Sequence, residues 1–150
     1  MKVIYTNEEI TSYDNSIFLA GPTPRNKNVH SWRNTALKYL EELNFSGTVI
    51  VPEYRKQSYI SQEGNIYDMS WDHNALENVS KILMWIPRDN NMLGLTSNIE
   101  FGYFIKSNKL YYGRPKNALY MEYLDFLYGK ETNRKPKEDL KDLIIEIISN

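Results

Sequence analysis

The chain has no cysteine among its 150 residues, only two histidines, and a formal net charge of −1. The absence of cysteine excludes a disulfide framework, a thiolate nucleophile and a zinc site with cysteine ligands. His30 and His73 do not fall in a metal-ligand spacing, so we predict no metal and no other cofactor. The balanced charge offers no basic surface for a nucleic-acid backbone, and we predict no nucleic-acid partner.

Long apolar runs are also absent. The first five residues are followed by the polar segment Thr6-Asn7-Glu8-Glu9, which lacks the apolar run of a signal peptide, and no later run approaches membrane-spanning length. We therefore expect a cytoplasmic protein without a membrane partner. With 41% apolar residues, the chain is expected to fold as one domain over residues 1–150.

Short β-branched and apolar runs alternate with helical patterns. The runs at residues 3–5, 17–20, 48–51, 81–87 and 110–112 are predicted to be strands. Helical patterns follow the apolar stripe from Val29 to Leu43, begin after a cap at Ser70, open near Thr96-Ser97, and occupy residues 119–128. Residues 54–67 are predicted to be a loop. Apolar spacing predicts an amphipathic C-terminal helix over about residues 136–149.

Alternating strands and helices imply parallel strands joined by right-handed crossovers. The predicted fold class is α/β, a Rossmann-like (flavodoxin-like) doubly wound parallel sheet of four to five strands flanked by helices. In the 2-1-3-4 strand order of such a sheet, strands 17–20 and 81–87 are neighbours at the switch point, where ligands bind. The loops at residues 21–28 and 88–95 should therefore border the functional site.

Glu100, in the segment Ser97-Asn98-Ile99-Glu100, is the first candidate catalytic residue. Ser-x-x-Glu is also the form of a capping box, in which the glutamate accepts a backbone N–H at the start of a helix. Local sequence favours the cap. The position of the segment beside the switch point favours a catalytic carboxylate, which is a suitable nucleophile for an anomeric carbon.

Asp72 is the second candidate. An acid in the first turn of a helix can simply complement the helix dipole. Alternatively, Asp72 pairs with Glu100, because two neighbouring carboxylates are the arrangement that retaining glycosyl transfer requires. Its role would then be to protonate the leaving base or to orient the sugar.

Other candidates surround the predicted switch point. Gly21-Pro22-Thr23 forms a tight turn after a buried strand, and glycine permits close approach of a ligand. Arginines in or near the same loops are solvated surface charges unless they face the site, where they would bind a substrate phosphate. These arginines are Arg25, Arg33, Arg88 and Arg114.

Several motifs, taken in order, resemble the nucleoside 2-deoxyribosyltransferase-like family from about residue 17 to residue 124. They are Ile-Phe-Leu-Ala-Gly-Pro-Thr-Pro-Arg at 17–25, Ser-Trp-Arg at 31–33, Val-Pro-Glu at 51–53, Trp71-Asp72 with Ala75-Leu76, Leu-Met-Trp-Ile-Pro-Arg at 83–88, Leu-Thr-Ser-Asn-Ile-Glu-Phe-Gly at 95–102, and Tyr-Gly-Arg-Pro at 112–115. The C-terminal helix lies outside the resemblance.

The resemblance implies a Rossmann-like sheet and a homo-oligomer (dimer or higher) whose subunits help to close each other's pockets. It implies a covalent deoxyribosyl intermediate on Glu100, with Asp72 as the family's helix-start aspartate. The candidate substrate-binding residues are Gly21, Pro22, Thr23, Arg25, Arg33, Trp71, Arg88 and Asn98. Members of the family usually carry an acid several positions before the nucleophile and an aspartate before the third strand. This chain has Asn90-Asn91-Met92-Leu93-Gly94 and Ser80 there.

The leading hypothesis is a glycosyl transferase or hydrolase that cleaves the N-glycosidic bond of 2′-deoxynucleosides or their monophosphates. The acceptor, a base or water, stays open. The alternative hypothesis is a nucleotide-binding sensor that kept the pocket and lost turnover. A receiver-like signalling domain of similar topology has less support, because Ala20-Gly21-Pro22 supplies no acid after the first core strand.

Overall fold

The computed structural model describes residues 1–56 and 66–150, except the side chains of residues 66 and 67. The described strands are β1 (Lys2–Tyr5), β2 (Ser16–Ala20), β3 (Thr48–Val51), β4 (Lys81–Trp85) and β5 (Leu110–Gly113). The described helices are α1 (Trp32–Glu42), α2 (Ile66–Asn78), α3 (Leu95–Phe104), α4 (Glu122–Thr132) and α5 (Leu140–Ser149). None of these helices is long and apolar enough to cross a membrane.

The strands form one parallel sheet in the order β1-β3-β2-β4-β5. The predicted α/β, doubly wound fold is confirmed. The expected neighbourhood of β2 and β4 is also confirmed, since Phe18 pairs with Ile82 and Leu19 with Leu83. The carboxyl ends of these two central strands therefore lie side by side, with the loops that follow them at the same edge of the sheet.

Alternate residues of the central strands enter two separate cores, as the period of two in a strand requires. Phe18, Ile82 and Met84 face one layer, which contains residues of α2, α3 and α4. Leu19, Leu83 and Trp85 face the other, which contains residues of α1 and α5. Burial on both faces explains why these strands are continuous apolar runs.

Several predicted boundaries were wrong. Helix α1 begins at Trp32 behind the Ser31 cap, so Val29 precedes it. The fourth strand ends at Trp85, not at residue 87. Helix α4 covers 122–132 rather than 119–128, and α5 begins at Leu140 because the Asp139 side chain accepts hydrogen bonds from the next backbone amides.

The second helix differs most from its prediction. Ser70, the expected cap, lies inside α2, which already begins at Ile66. Of the predicted loop at 54–67, residues 57–65 lie outside the described residues. A serine is tolerated inside a helix when packing against the sheet decides the conformation, because helix propensity is a weak preference. Ala75, Leu76 and Val79 supply that packing.

Candidate active site

A cavity of about 650 Å³ opens at the carboxyl ends of the strands. The loop after β2 forms one wall, the β4–α3 loop and the start of α3 form a second, and α2 and the end of β3 close the rest. Glu100, Asp72, Gly21, Pro22, Thr23, Arg25 and Arg33 all line it, so the structure brings most of the candidates from sequence together. Trp71, Arg88 and Asn98 are not among the described lining residues.

Helix α3 presents Glu100 to this cavity and not to its own N-terminus. The N-cap is Gly94, in the left-handed conformation, and no side chain caps the helix. Ser97 is the third helical residue and is buried, so the Ser-x-x-Glu pattern is not a capping box here. The carboxylate of Glu100 is therefore available to a ligand.

Asp72 faces the same cavity from α2. Its Oδ1 is buried and has no hydrogen-bond partner in the described parts of the chain. Such an atom is costly unless a ligand or a proton satisfies it. The carboxyl group is therefore suited to hold a proton.

Burial raises the pKa of both acids to about 7. The negative charge of Asp72 raises the pKa of Glu100 further, and the positive charge of Arg33 opposes the rise at both. Two coupled carboxyl groups of this kind lose their protons in two macroscopic steps that belong to the pair. Near neutral pH one group can be ionised while the other keeps its proton, as nucleophile and acid must be.

Arg33 lies beneath the loop after β2 and is 1% exposed. Its guanidinium donates to the carbonyls of Leu19 (2.8 Å) and Gly21 (2.6 Å) and to Thr23 Oγ1 (3.0 Å). It also forms a buried ion pair with Glu53 at 2.7 Å. These contacts occupy four donors of the group and fix the shape of the loop, so Arg33 has little capacity left for a phosphate.

Gly21 cannot be replaced by another residue without moving this loop. Its φ is +138°, and a Cβ there would lie 2.0 Å from the carbonyl oxygen of Trp85. The turn therefore passes so close to the end of β4 that only glycine fits. The indole of Trp32 also donates to the carbonyl of Pro22 at 3.1 Å.

Arg88 supports the neighbouring wall from behind. It is buried and donates to the carbonyls of Leu93 (2.5 Å) and Tyr120 (3.2 Å) and to the side chain of Asn98. Arg88 and Asn98 thus hold the β4–α3 loop on the start of α3. Trp71 has a similar supporting place, since its indole donates to the carbonyl of Glu8 at 3.2 Å.

A family model described as nucleoside 2-deoxyribosyltransferase like matches residues 14–117. The chain belongs to this family. The match contains Gly21, Asp72 and Glu100, the loop glycine and the two acids that meet in the cavity. No curated protein matches the chain.

Four further residues line the cavity without having been predicted from sequence. Asp68 and Met69 line the cavity from α2, Tyr54 lines it after β3, and Thr6 lines it after β1. Asp68 could have been suggested by its spacing, since it lies four residues before Asp72 and hence on the same helix face. Thr6 gave no signal, because it precedes both the family match and the motifs.

The loop before Glu100 has the side-chain amides of Asn90 and Asn91 where the resemblance had led us to expect an acid. Asn90 and Asn91 line the cavity and are exposed. Asp89 is adjacent, but its carboxylate accepts the backbone amides of Asn91 and Met92, both at 2.8 Å. Within residues 1–56 and 66–150, no group of three or more histidine, aspartate or glutamate side chains is arranged to hold a metal ion.

Proposed function

We propose that the protein is a glycosyl transferase or hydrolase that cleaves the N-glycosidic bond of 2′-deoxynucleosides or their monophosphates. One observation carries the proposal: Glu100 and Asp72 line one cavity, and burial raises the pKa of each to about 7. Membership of the nucleoside 2-deoxyribosyltransferase-like family supports the class of substrate.

The reaction proceeds in two displacements. The Glu100 carboxylate attacks C1′ while the C1′–N bond breaks, and the electron pair of that bond goes to the base. Asp72 gives its proton to the leaving base. A second base or a water molecule then attacks C1′ and releases Glu100, and the proton of that nucleophile returns to Asp72.

We assign contact with a 5′-phosphate to Arg25. It is exposed at the cavity, and within the described residues no side chain or carbonyl accepts a hydrogen bond from it. Arg33, the other lining arginine, is committed to the loop and to Glu53. A 2′-deoxynucleoside, which has no phosphate, would leave Arg25 in solvent. The proposal therefore covers 2′-deoxynucleosides as well as their monophosphates.

The proposed homo-oligomer rests on exposed apolar side chains beside the cavity. Leu95, Ile99 and Tyr103 form a stripe along α3, and Met69 is exposed on α2. Residues four apart share one face of a helix, so the stripe is continuous. A second copy of the chain covering it would help to close the cavity.

The cytoplasmic location remains a prediction from sequence.

The test of the proposed function is turnover of deoxynucleosides and their monophosphates, with and without a second free base, followed by chromatography. Wild type should produce an exchanged nucleoside or a free base, and Glu100→Ala should lose the activity by at least about 10³-fold. Glu77→Gln is the matched control, because it removes an acid from the exposed side of α2.

The alternative is a nucleotide-binding sensor, and the amide-lined loop at Asn90 and Asn91 favours it. Wild type that binds deoxynucleosides or deoxynucleotides but never releases a base would support the sensor and contradict the enzyme.

A further inference from the structure

Asp68 brings a third carboxylate to the cavity. It lies on α2 one turn before Asp72, and both side chains line the same cavity. Because the residues are four apart, their side chains are neighbours on one helix face. Like charges at this spacing repel each other, so the state of one group depends on the other.

The Asp68 carboxylate is held by donors from two different loops. Asn7 Nδ2 donates to Oδ1 at 2.7 Å, and Tyr54 Oη donates to Oδ2 at 2.5 Å. Asn7 follows β1 and Tyr54 follows β3, so the carboxylate cannot turn away from the cavity without breaking one of the bonds. Its position relative to Asp72 is therefore fixed by the fold.

Asp72 differs, because its Oδ1 has no hydrogen-bond partner among the residues that the structure describes. Burial is the largest cause of its raised pKa, the charge of Arg33 lowers it, and the charge of Asp68 raises it. Glu100 faces it from α3. The remaining charged or titratable groups of the described cavity wall are Arg25, Glu53, which is paired with Arg33, and Tyr54, which is bonded to Asp68.

We infer that Asp68, held by Asn7 and Tyr54, is a positioning residue whose fixed negative charge keeps the proton on Asp72 until the N-glycosidic bond breaks. This inference rests on the proposed function, because that proton matters only if Asp72 gives it to the leaving base. Asp68 does not touch the reacting atoms; it acts through Asp72.

Part of this arrangement comes from outside the matched family region. The match begins at residue 14, whereas Asn7 and Thr6 precede it. The turn after β1 thus contributes both a lining residue and a donor to Asp68. In the proposed role, the turn that follows β1 is therefore part of the site.

The experiment compares pH profiles of kcat for wild type and Asp68→Asn. The high-pH limb reports loss of the proton from Asp72, and we expect it to move to lower pH in the variant. Activity at pH 8 relative to pH 6 should then fall about threefold or more. The low-pH limb reports the first macroscopic step of the Asp72–Glu100 pair and should move less than the high-pH limb.

Three further variants separate a charge effect from a structural one. Tyr54→Phe and Asn7→Gly each remove one donor, and we expect smaller shifts of the high-pH limb in the same direction. Glycine is chosen because Asn7 has a φ of 66°. Glu77→Gln removes an acid from the same helix outside the cavity and should move neither limb. A uniform loss of kcat, with the profile of Asp68→Asn unchanged, would overturn the inference.

A second measurement does not depend on turnover. The carboxyl ¹³C resonance of Asp72 is followed against pH in both proteins, and the inference predicts a lower midpoint in Asp68→Asn. An unchanged midpoint contradicts the role of Asp68 even if wild type is active. An inactive wild type whose Asp72 midpoint still falls in the variant would instead contradict the proposed function and support the electrostatic role of Asp68.

Discussion

Asp72 and Glu100 make the folded protein less stable as their charges form. Burial raises the pKa of both groups to about 7, whereas each would ionise near pH 4 in an unfolded chain. The folded state therefore binds protons more tightly than the unfolded state between these values. Stability contributed by this site is present below about pH 4 and is lost as pH rises towards 7.

Replacing Asp72 by asparagine should consequently stabilise the protein at alkaline pH. At pH 8 we expect Asp72→Asn to raise the free energy of unfolding by on the order of 2 kcal/mol, because the neutral amide avoids a buried charge. At pH 5 the gain should largely disappear. Urea unfolding at both pH values measures the effect, and a gain that is equal at pH 5 and pH 8 would contradict it.

The charge of Arg33 stabilises the folded protein, because the guanidinium is paired with Glu53 and bonded to the loop after β2. Arg33→Met should lower the free energy of unfolding by about 3–5 kcal/mol, because it leaves the buried Glu53 carboxylate, 5% exposed, without its cation. Arg55→Met is the matched control. Arg55 also forms an ion pair at 2.7 Å, with Glu8, but the Arg55 side chain is 56% exposed, so its loss should cost about 1 kcal/mol or less. Equal losses in the two variants would show that burial does not determine how much an ion pair contributes to the free energy of unfolding.

At the scale of elements, the wall that presents Glu100 depends on Arg88. From sequence, Arg88 and Asn98 were predicted to bind substrate. In the fold Arg88 donates to the side chain of Asn98 and to the carbonyls of Leu93 and Tyr120, behind the wall. Sequence spacing placed them correctly beside the switch point, but it could not decide which face of the loop each side chain would take.

Arg88→Met should therefore act on stability and on kcat rather than on substrate affinity. Loss of the hydrogen bonds of a buried guanidinium should lower the free energy of unfolding by about 2–4 kcal/mol, and kcat should fall as α3 shifts. Thermal unfolding and steady-state kinetics measure both. A raised KM with an unchanged unfolding temperature would mean that Arg88 touches the substrate after all.

Element boundaries show where local sequence was insufficient. Ser31 caps α1 and Asp139 caps α5, and each side chain accepts a hydrogen bond from a backbone amide of its helix, although neither cap was predicted from sequence. Ser70 looked like a cap and lies within α2, while the true N-cap of α3 is Gly94. A Cβ at Gly94 would lie 3.2 Å from the Cβ of Pro22, so Gly94 packs closely against a loop that is distant in sequence, a contact that a local pattern does not contain.

At the scale of the whole molecule, the order of the four strands from β2 to β5 was predictable, whereas the place of β1 and the closure of the cavity were not. Apolar runs and turn residues were enough to place β2 beside β4 and to direct attention to the loops that follow them. The hydrogen bond between Asn7 and Asp68, which joins the turn after β1 to α2, links residues that lie 61 positions apart in sequence. No periodicity reports such a contact.

We predict that copies of the chain associate through the exposed apolar stripe on α3. Ile99 is 72% exposed on the α3 stripe, and a charge there should oppose burial against a second copy. We expect wild type to elute as a dimer or larger species, and Ile99→Glu to elute as a smaller one, by size-exclusion chromatography with light scattering. Ile145→Glu on α5, across the sheet, is the control. A monomeric wild type would contradict the proposed oligomer.

The central claim, a covalent deoxyribosyl intermediate on Glu100, is tested most directly by mass spectrometry. The protein is quenched in acid during turnover of a deoxynucleoside, with a slowly deglycosylated fluorinated analogue as a second substrate. We predict an added mass of one sugar on the peptide that contains Glu100, and no addition in Glu100→Gln. Full turnover without any adduct, together with retained activity in Glu100→Gln, would contradict the account.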